Sequence, residues 1–382
     1  MKRITRLGAL AAAATAATGL VAAPAIAHPA PAHHDRGQRG GVHALFVQTD
    51  ETSGNHVAAY RQDADGTLTY QHTYATGGDG GVLPTSVIDH TASQDAVTYD
   101  GRHHLLYVVN AGSNTVSVFG VDGTSLQLRQ VVPSGGTFPV SVAVHGDVVY
   151  VLNAQQGGSI QGYLVLGSRL LRVPSWNRGL GLDATLTNFT QTPGQVAFSP
   201  DGRQLLVTTK ANTNSIDVFG LSWWGAPSAL AVHNVRAGAV PFALTFDRRG
   251  EVIVADAGPA AVTTLTLQHD GTLTPVSTVV TGQKGTCWVI RDGRFLFTTN
   301  PGGPSVTSLE LGRTGTPTVL GSTTTDPGTV DPAISRDGRY LYVETGAGGI
   351  LDEFRVRHDG SLSPIGSVIV ADAAGAEGLA TT

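Results

Sequence analysis

The sequence predicts an all-β fold and, within that class, a seven-bladed β-propeller of four-stranded antiparallel blades. Three observations carry the prediction: the composition, a seven-fold internal repeat, and two chain ends that complete each other. Charged residues make up 14% of the 382, hydrophobic ones 41%, and there are 49 glycines. That balance suits short strands joined by tight turns better than long helices or disorder.

The repeat is an apolar run that recurs as HALFVQT, HLLYVVN, DVVYVLN, QLLVTT, EVIVADA, RFLFTTN and RYLYVET. Successive copies start about 43 to 60 residues apart, near the roughly 40–50 residues of a propeller blade. Before this run several copies place another apolar run and a tight turn: S-P-D-G-R at Ser199, Y-D-G-R at Tyr99, and R-D-G-R at Arg291 and Arg336. Asp-Gly supplies the positive φ that a two-residue hairpin demands. A second turn, A-D-G-T-L at Ala64, H-D-G-T-L at His269 and H-D-G-S-L at His358, joins an outer pair. Two hairpins per unit define a four-stranded meander.

The ends fix the closure. The first unit starts directly with its second strand, His43 to Thr49, and the chain finishes on Glu377-Gly378-Leu379-Ala380-Thr381, which aligns with a first strand. Pairing head with tail completes one blade and removes the open edge of the ring.

Ahead of the ring, Lys2, Arg3 and Arg6 precede an Ala-rich apolar run from Leu7 to Val21, followed by Ala25-Ile26-Ala27. This is the pattern of a secretory signal peptide over residues 1–27, with 28–42 as a flexible linker and 43–382 as the propeller. The expectation is a secreted, monomeric protein with no membrane span after cleavage. Losing three basic residues takes the formal charge from −5 to −8, which gives nucleic acid or an anionic membrane no electrostatic help. Cys287 is the only cysteine, so export brings no disulfide framework. His28, His33 and His34 fall in the linker, where a solvated tail is the expectation; neither a metal nor another cofactor is implied.

The run from Leu105 to Phe119, L-L-Y-V-V-N-A-G-S-N-T-V-S-V-F, resembles the Y-V-x-N repeat of bacterial surface propellers. The S-P-D-G-R and D-G-T-L turns over seven units resemble the lactonase family, the propellers related to 6-phosphogluconolactonase and 3-carboxymuconate cyclase, across about residues 43 to 382. In that family a Pro-His pair ahead of a first strand and an Asp-Leu-Gly turn after its partner help form the substrate site. Pro193 matches the proline, but Gly194 stands at the histidine position and Lys210-Ala211-Asn212 at the Asp-Leu-Gly position. The resemblance therefore implies the scaffold and leaves the recognised acid-base residues unmatched. No G-x-S-x-G, H-E-x-x-H or P-loop is present either, and no catalytic residue is assigned.

In a propeller, residues at the start of each first strand and just after each second strand meet at one axial mouth. Read this way, Asp50, Asn110, Lys210, Asp256, Asn300, Asp331 and Glu377 are candidate ligand-binding residues. Asn110 and Asn300 have a structural alternative, since Asn at a strand-to-turn junction bonds its own backbone. Lys210 breaks the repeat's rule as one cation among acids. The two longest repeat intervals add residues at Gly77 to Thr91 and Arg172 to Thr192, expected above this mouth as a rim or lid; Trp176, Asn177 and Arg178 are candidates within the second. Trp223 and Trp224 belong to the outer hairpin of the fourth blade, where packing is expected and a partner contact is the alternative.

Two functions remain open. One is an exported propeller whose mouth binds a small polar ligand, a glycan or a protein; the other is a lactone or ester hydrolase with a rearranged site on Lys210, Asp256, Asp331 and Glu377. A purely structural surface repeat accounts least well for the long insertions.

Overall fold

The computed structural model describes residues 43–382 and contains seven four-stranded antiparallel sheets and, among those residues, no helix. The segments read as signal peptide and linker lie outside the described residues.

The first blade is β1 (Ala44–Gln48), β2 (His56–Gln62) and β3 (Leu68–Ala75), and its inner strand is β28 (Leu379–Thr381). Leu45 faces Thr381, Phe46 faces Ala380 and Val47 faces Leu379, which is the head-to-tail closure expected from the sequence. The second blade is β4 (Val97–Asp100), β5 (Leu105–Asn110), β6 (Thr115–Asp122) and β7 (Ser125–Pro133). The third runs β8 (Pro139–His145), β9 (Val148–Asn153), β10 (Ser159–Leu166) and β11 (Arg169–Gly179), and the fourth β12 (Gln195–Phe198), β13 (Gln204–Thr208), β14 (Ser215–Gly220) and β15 (Val232–Val235). The fifth holds β16 (Pro241–Phe246), β17 (Val252–Asp256), β18 (Ala261–Leu267) and β19 (Leu273–Val280). The sixth holds β20 (Trp288–Asp292), β21 (Phe295–Asn300), β22 (Ser305–Leu311) and β23 (Pro317–Thr324); the seventh holds β24 (Thr329–Ile334), β25 (Tyr340–Thr345), β26 (Ile350–Val356) and β27 (Leu362–Ile369). Inner strands β28, β4, β8, β12, β16, β20 and β24 pack in that order around the axis, β24 returning to β28.

Each second strand is covered on both faces by the neighbouring blades, so it reads as an unbroken apolar run: every residue of β5, LLYVVN, is buried. Outer strands meet solvent and turn polar, as in β3, LTYQHTYA, which is largely exposed beyond Leu68. The core is accordingly spread through the seams between blades, for example Leu105, Tyr107 and Val109 against Val149, Val151 and Tyr163 between the second and third.

The N-rich turns after the second strands have a specific job. Asn214 adopts φ 53° and Asn114 φ 56°, a left-handed conformation that Asn tolerates. Their side-chain oxygens accept from Val240 N at 3.0 Å and Phe138 N at 2.7 Å, which ties each turn to the link leaving its own blade.

Candidate functional site

The repeat places two registers of residues at the mouth, and the backbone decides which of them face the axis. Asn110, Asp256 and Asn300 are the last residues of β5, β17 and β21 and point into their own blades. Asn110 donates to Thr115 Oγ1 and Ser117 Oγ at 3.0 and 2.8 Å and accepts from Asn55. Asn300 donates to Ser305 and to Thr307 Oγ1 and accepts from Thr286 Oγ1 at 2.9 Å. Asp256 is paired with Arg236 and accepts from Thr263 Oγ1 at 2.6 Å. Asn300 is therefore a staple within its blade, while Asn110 also ties its blade to the first and Asp256 ties its blade to the link leaving the fourth; Asp256 does not join Lys210 in a common site as the sequence reading expected.

Asp50 and Lys210 sit one position further on, at φ 52° and 47°. That left-handed step, uncommon for residues other than glycine, ends the strand and leaves both side chains fully buried in the mouth.

The insertion between β3 and β4 folds over this opening. Leu83 is fully buried, His90 N donates to Gly375 O at 2.8 Å, and Phe189 N reaches Pro84 O at 3.3 Å, so the insertion meets the link between β11 and β12. Ser93 Oγ donates to Val140 O at 2.7 Å. Gln94 crosses from the second blade to the sixth, where its amide pairs both ways with Val289 at 3.2 and 3.1 Å. The axis is plugged beneath the lid by these side chains.

Around the plug lie buried carboxyl groups and one cation. Glu377 accepts from Ser93 N at 2.9 Å, Trp288 Nε1 at 2.7 Å and Thr91 Oγ1 at 2.7 Å, and Asp89 is its neighbour. Burial, then the like charge of Asp89, pushes Glu377 well above the usual carboxyl range; Asp89 is raised chiefly by burial. Two neighbouring carboxylates cannot both ionise cheaply, which favours the protonated form at one of them. Asp50 is raised by burial to about 8. Asp331 and Glu344 are also raised well above the usual carboxyl range, by burial first and by neighbouring carboxylates second. Lys210 Nζ donates to Ala92 O at 2.6 Å and Phe189 O at 2.5 Å and lies 5.0 Å from the Phe242 ring centre. Burial lowers it to about 8, with Asp89 and Glu377 pulling the other way. No group of three or more His, Cys, Asp or Glu among the described residues is disposed as metal ligands.

Between lid and ring remains a cavity of about 280 Å³. Its walls are apolar, from Val87 and Ile88 of the lid to Phe189, Phe242 and Trp288, and Lys210, Asp89 and Cys287 reach it. Asp89 Oδ1 is buried without a partner. Burial, with Asp89 adding to it, pushes the Cys287 thiol up to about 12, so it is no thiolate nucleophile. Such a cavity can enclose an apolar body and offer its polar end one N–H donor and one free carboxyl oxygen.

Several sequence expectations change here. Arg178 is on the outermost strand of its blade, donating to Pro227 and Ser228 carbonyls at 2.8 Å, far out from the axis along the sheet. Trp176 is buried against Tyr150, and Asn177 bonds Gly135 O, because much of the second insertion is simply a longer β11. Asp89 and Glu344 were not singled out. Glu344 had a legible signal: it occupies the place taken by Val109, Leu152 and Ala255 in other copies of the run. Asp89 lies in an insertion with no repeat to read it against.

No family model matches the chain, and no curated protein matches it. Solved structures do. A candidate 6-phosphogluconolactonase from Bacteroides fragilis is similar at 19% identity and TM-score 0.70, covering 91% of this chain and 100% of its own. A periplasmic gluconolactonase from Pseudomonas aeruginosa aligns at 17% identity and TM-score 0.69, covering 89% of this chain and 99% of its own. The fold is that of the lactonase-type seven-bladed propellers. Against that fold, the departure at Gly194 has a steric basis: a Cβ there would stand 2.6 Å from Phe242 O, so no side chain fits.

Proposed function

We propose that the protein is an exported, monomeric propeller that binds a small molecule in the lidded axial pocket. The observation that carries this reading is the apolar cavity with Lys210 and an unpartnered Asp89 oxygen at its floor. Enclosed apolar walls with few convergent polar groups of shifted pKa are the general character of ligand sites. The size favours a ligand with a compact apolar body and one neutral polar head over a glycan chain or a protein segment. Medium-chain γ- and δ-lactones are suitable probes, read by calorimetry and by fluorescence of Trp288. Saturable binding by the wild type that weakens at least tenfold in Lys210→Met supports the reading; no binding across the panel refutes it. For export, intact mass of the secreted protein is expected to start at His28.

A second reading, hydrolysis of such a lactone, is favoured by the neighbouring Asp89 and Glu377 carboxyl groups beside an amine of lowered pKa. Asp89 as carboxylate would take a proton from water as that water attacks the carbonyl, and protonated Lys210 would stabilise the resulting oxyanion. A pH-stat assay on the same lactones decides for it only if turnover appears and is lost in both Asp89→Asn and Lys210→Met. A phosphorylated aldonolactone is expected to give none, since its dianion would meet two acids, one cation and apolar walls.

A further inference from the structure

We infer a second binding site on the opposite face, for a neutral glycan, centred on Trp223 and Trp224. Most outer hairpins turn on a short Gly-containing link, but the fourth blade inserts S-W-W-G-A-P between Leu221 and Ser228. The two indoles lie against each other, centroids 4.1 Å apart with planes tilted by 35°, and remain 85% and 58% exposed. This overturns the expectation that they pack. Holding two indoles in water forgoes the stabilisation that burying them would give, and the loop is built so that they stay there.

Ser222 N bonds Ala226 O at 2.8 Å, Gly225 N bonds Ser222 O at 2.9 Å, and Ala226 N bonds Ser222 Oγ at 3.0 Å. Tyr150 Oη donates to Gly225 O at 2.7 Å, and Arg178 clamps Pro227 and Ser228 from the third blade. Gly225 itself, at φ 93°, presses on Val148, where a Cβ would stand 2.8 Å from the valine. The pair is thus a preorganised platform, which lowers the entropic cost of binding.

Beside it runs a groove of about 840 Å³ bordered by first-turn residues of the second, third and fourth blades, among them Arg102, Asp147, Asp201 and Arg203, and by His269. The charges pair off: Arg102 with Asp147 at 3.4 Å and Arg203 with Asp201 at 3.8 Å. A balanced rim has no field for a polyanion, yet it is dense in donors and acceptors. Aromatic faces for the C–H face of a sugar ring and paired charges for its hydroxyl edges are the chemistry of a neutral polysaccharide. The site is independent of the axial pocket.

The test uses the secreted protein on insoluble cellulose and chitin, and in native gels containing laminarin or xylan. Retention or retardation on at least one glycan is expected, falling at least tenfold in the Trp223→Ala/Trp224→Ala double variant, whose melting temperature stays at the wild-type value, and unchanged in Lys210→Met. Failure of the wild type on all four glycans, or equal retention by the double variant, overturns the assignment. So does a concentration-dependent dimer in light scattering that the double variant abolishes, because the face is then a protein interface.

Discussion

Glu377 is where the architecture of the mouth can be tested most directly. Replacing it with alanine strips the acceptor from Ser93 N, which is rigid and fully inside the protein, and from the rotatable Thr91 hydroxyl, while Trp288 Nε1 keeps its second acceptor, Ser93 O. A buried donor left unpaired costs about 1–3 kcal/mol, so the one rigid donor predicts a loss of that size, with relief of repulsion on Asp89 acting in the other direction. For a domain of this size roughly 1–2 °C accompanies each kcal/mol, extending the known size scaling, which puts the melting temperature about 1–6 °C lower. Glu377→Gln keeps an oxygen for Ser93 and Trp288 and can donate to Asp89, so it is expected within about 1 kcal/mol of wild type. The glutamine also removes a carboxyl group with a raised pKa. Such a group keeps, in the folded state, a proton that the unfolded chain has released above pH ~4, so its stability contribution is complete below that pH and is lost as pH rises through the folded value. Asp50, at about 8, and Asp95, raised by burial to about 6, place this decline between about pH 4 and 8 for wild type; buried His90, lowered by desolvation, opposes it in the lower part. The glutamine variant is expected to show a shallower decline. Denaturant melts followed by tryptophan fluorescence at pH 5, 6.5 and 8 measure both effects. An alanine variant as stable as wild type, or a glutamine variant as damaged as the alanine one, refutes the acceptor argument.

Three further outcomes follow from the same geometry. Lys210→Met removes the donors to Ala92 O and Phe189 O, so hydrogen exchange is expected to speed up across residues 83–92 and 188–192, while unchanged exchange there would show that the lysine does not hold the lid. Arg236→Ala strands the buried Asp256 and is expected to cost about 3–5 kcal/mol. Because the arginine opposes the upward push of burial on that carboxyl, the loss should be larger at pH 8 than at pH 5, and Asp256→Asn in the same chain should recover part of it in thermal melts. Truncation after Gly378 deletes β28 and exposes β1 as an open edge, so a fall of more than about 10 °C in melting temperature, with aggregation on gel filtration, is expected; a truncated chain that melts like the full one would mean the closure is dispensable.

Much of the scaffold was written in local pattern. The seven apolar runs, the Asp-Gly hairpins and the incomplete first and last blades determine strand number, meander order and closure, because each depends on turn chemistry and periodicity within a few dozen residues. Lys210 was also visible, as a break in a rule that the repeat itself supplies, and Glu377 by its place at the start of an inner strand. What tertiary structure alone decided is direction and company. A one-residue step into left-handed backbone turns Lys210 and Asp50 to the axis, while Asn110, Asp256 and Asn300, one position earlier, are consumed by bonds within their blades and to the neighbouring one. Asp89 becomes the partner of Glu377 only when an insertion without repeats crosses the mouth, and Arg178 leaves the site because its strand runs to the rim. Side-chain aim and long-range pairing depend on φ, ψ and packing between blades, and a linear pattern of residue types does not encode those at single positions.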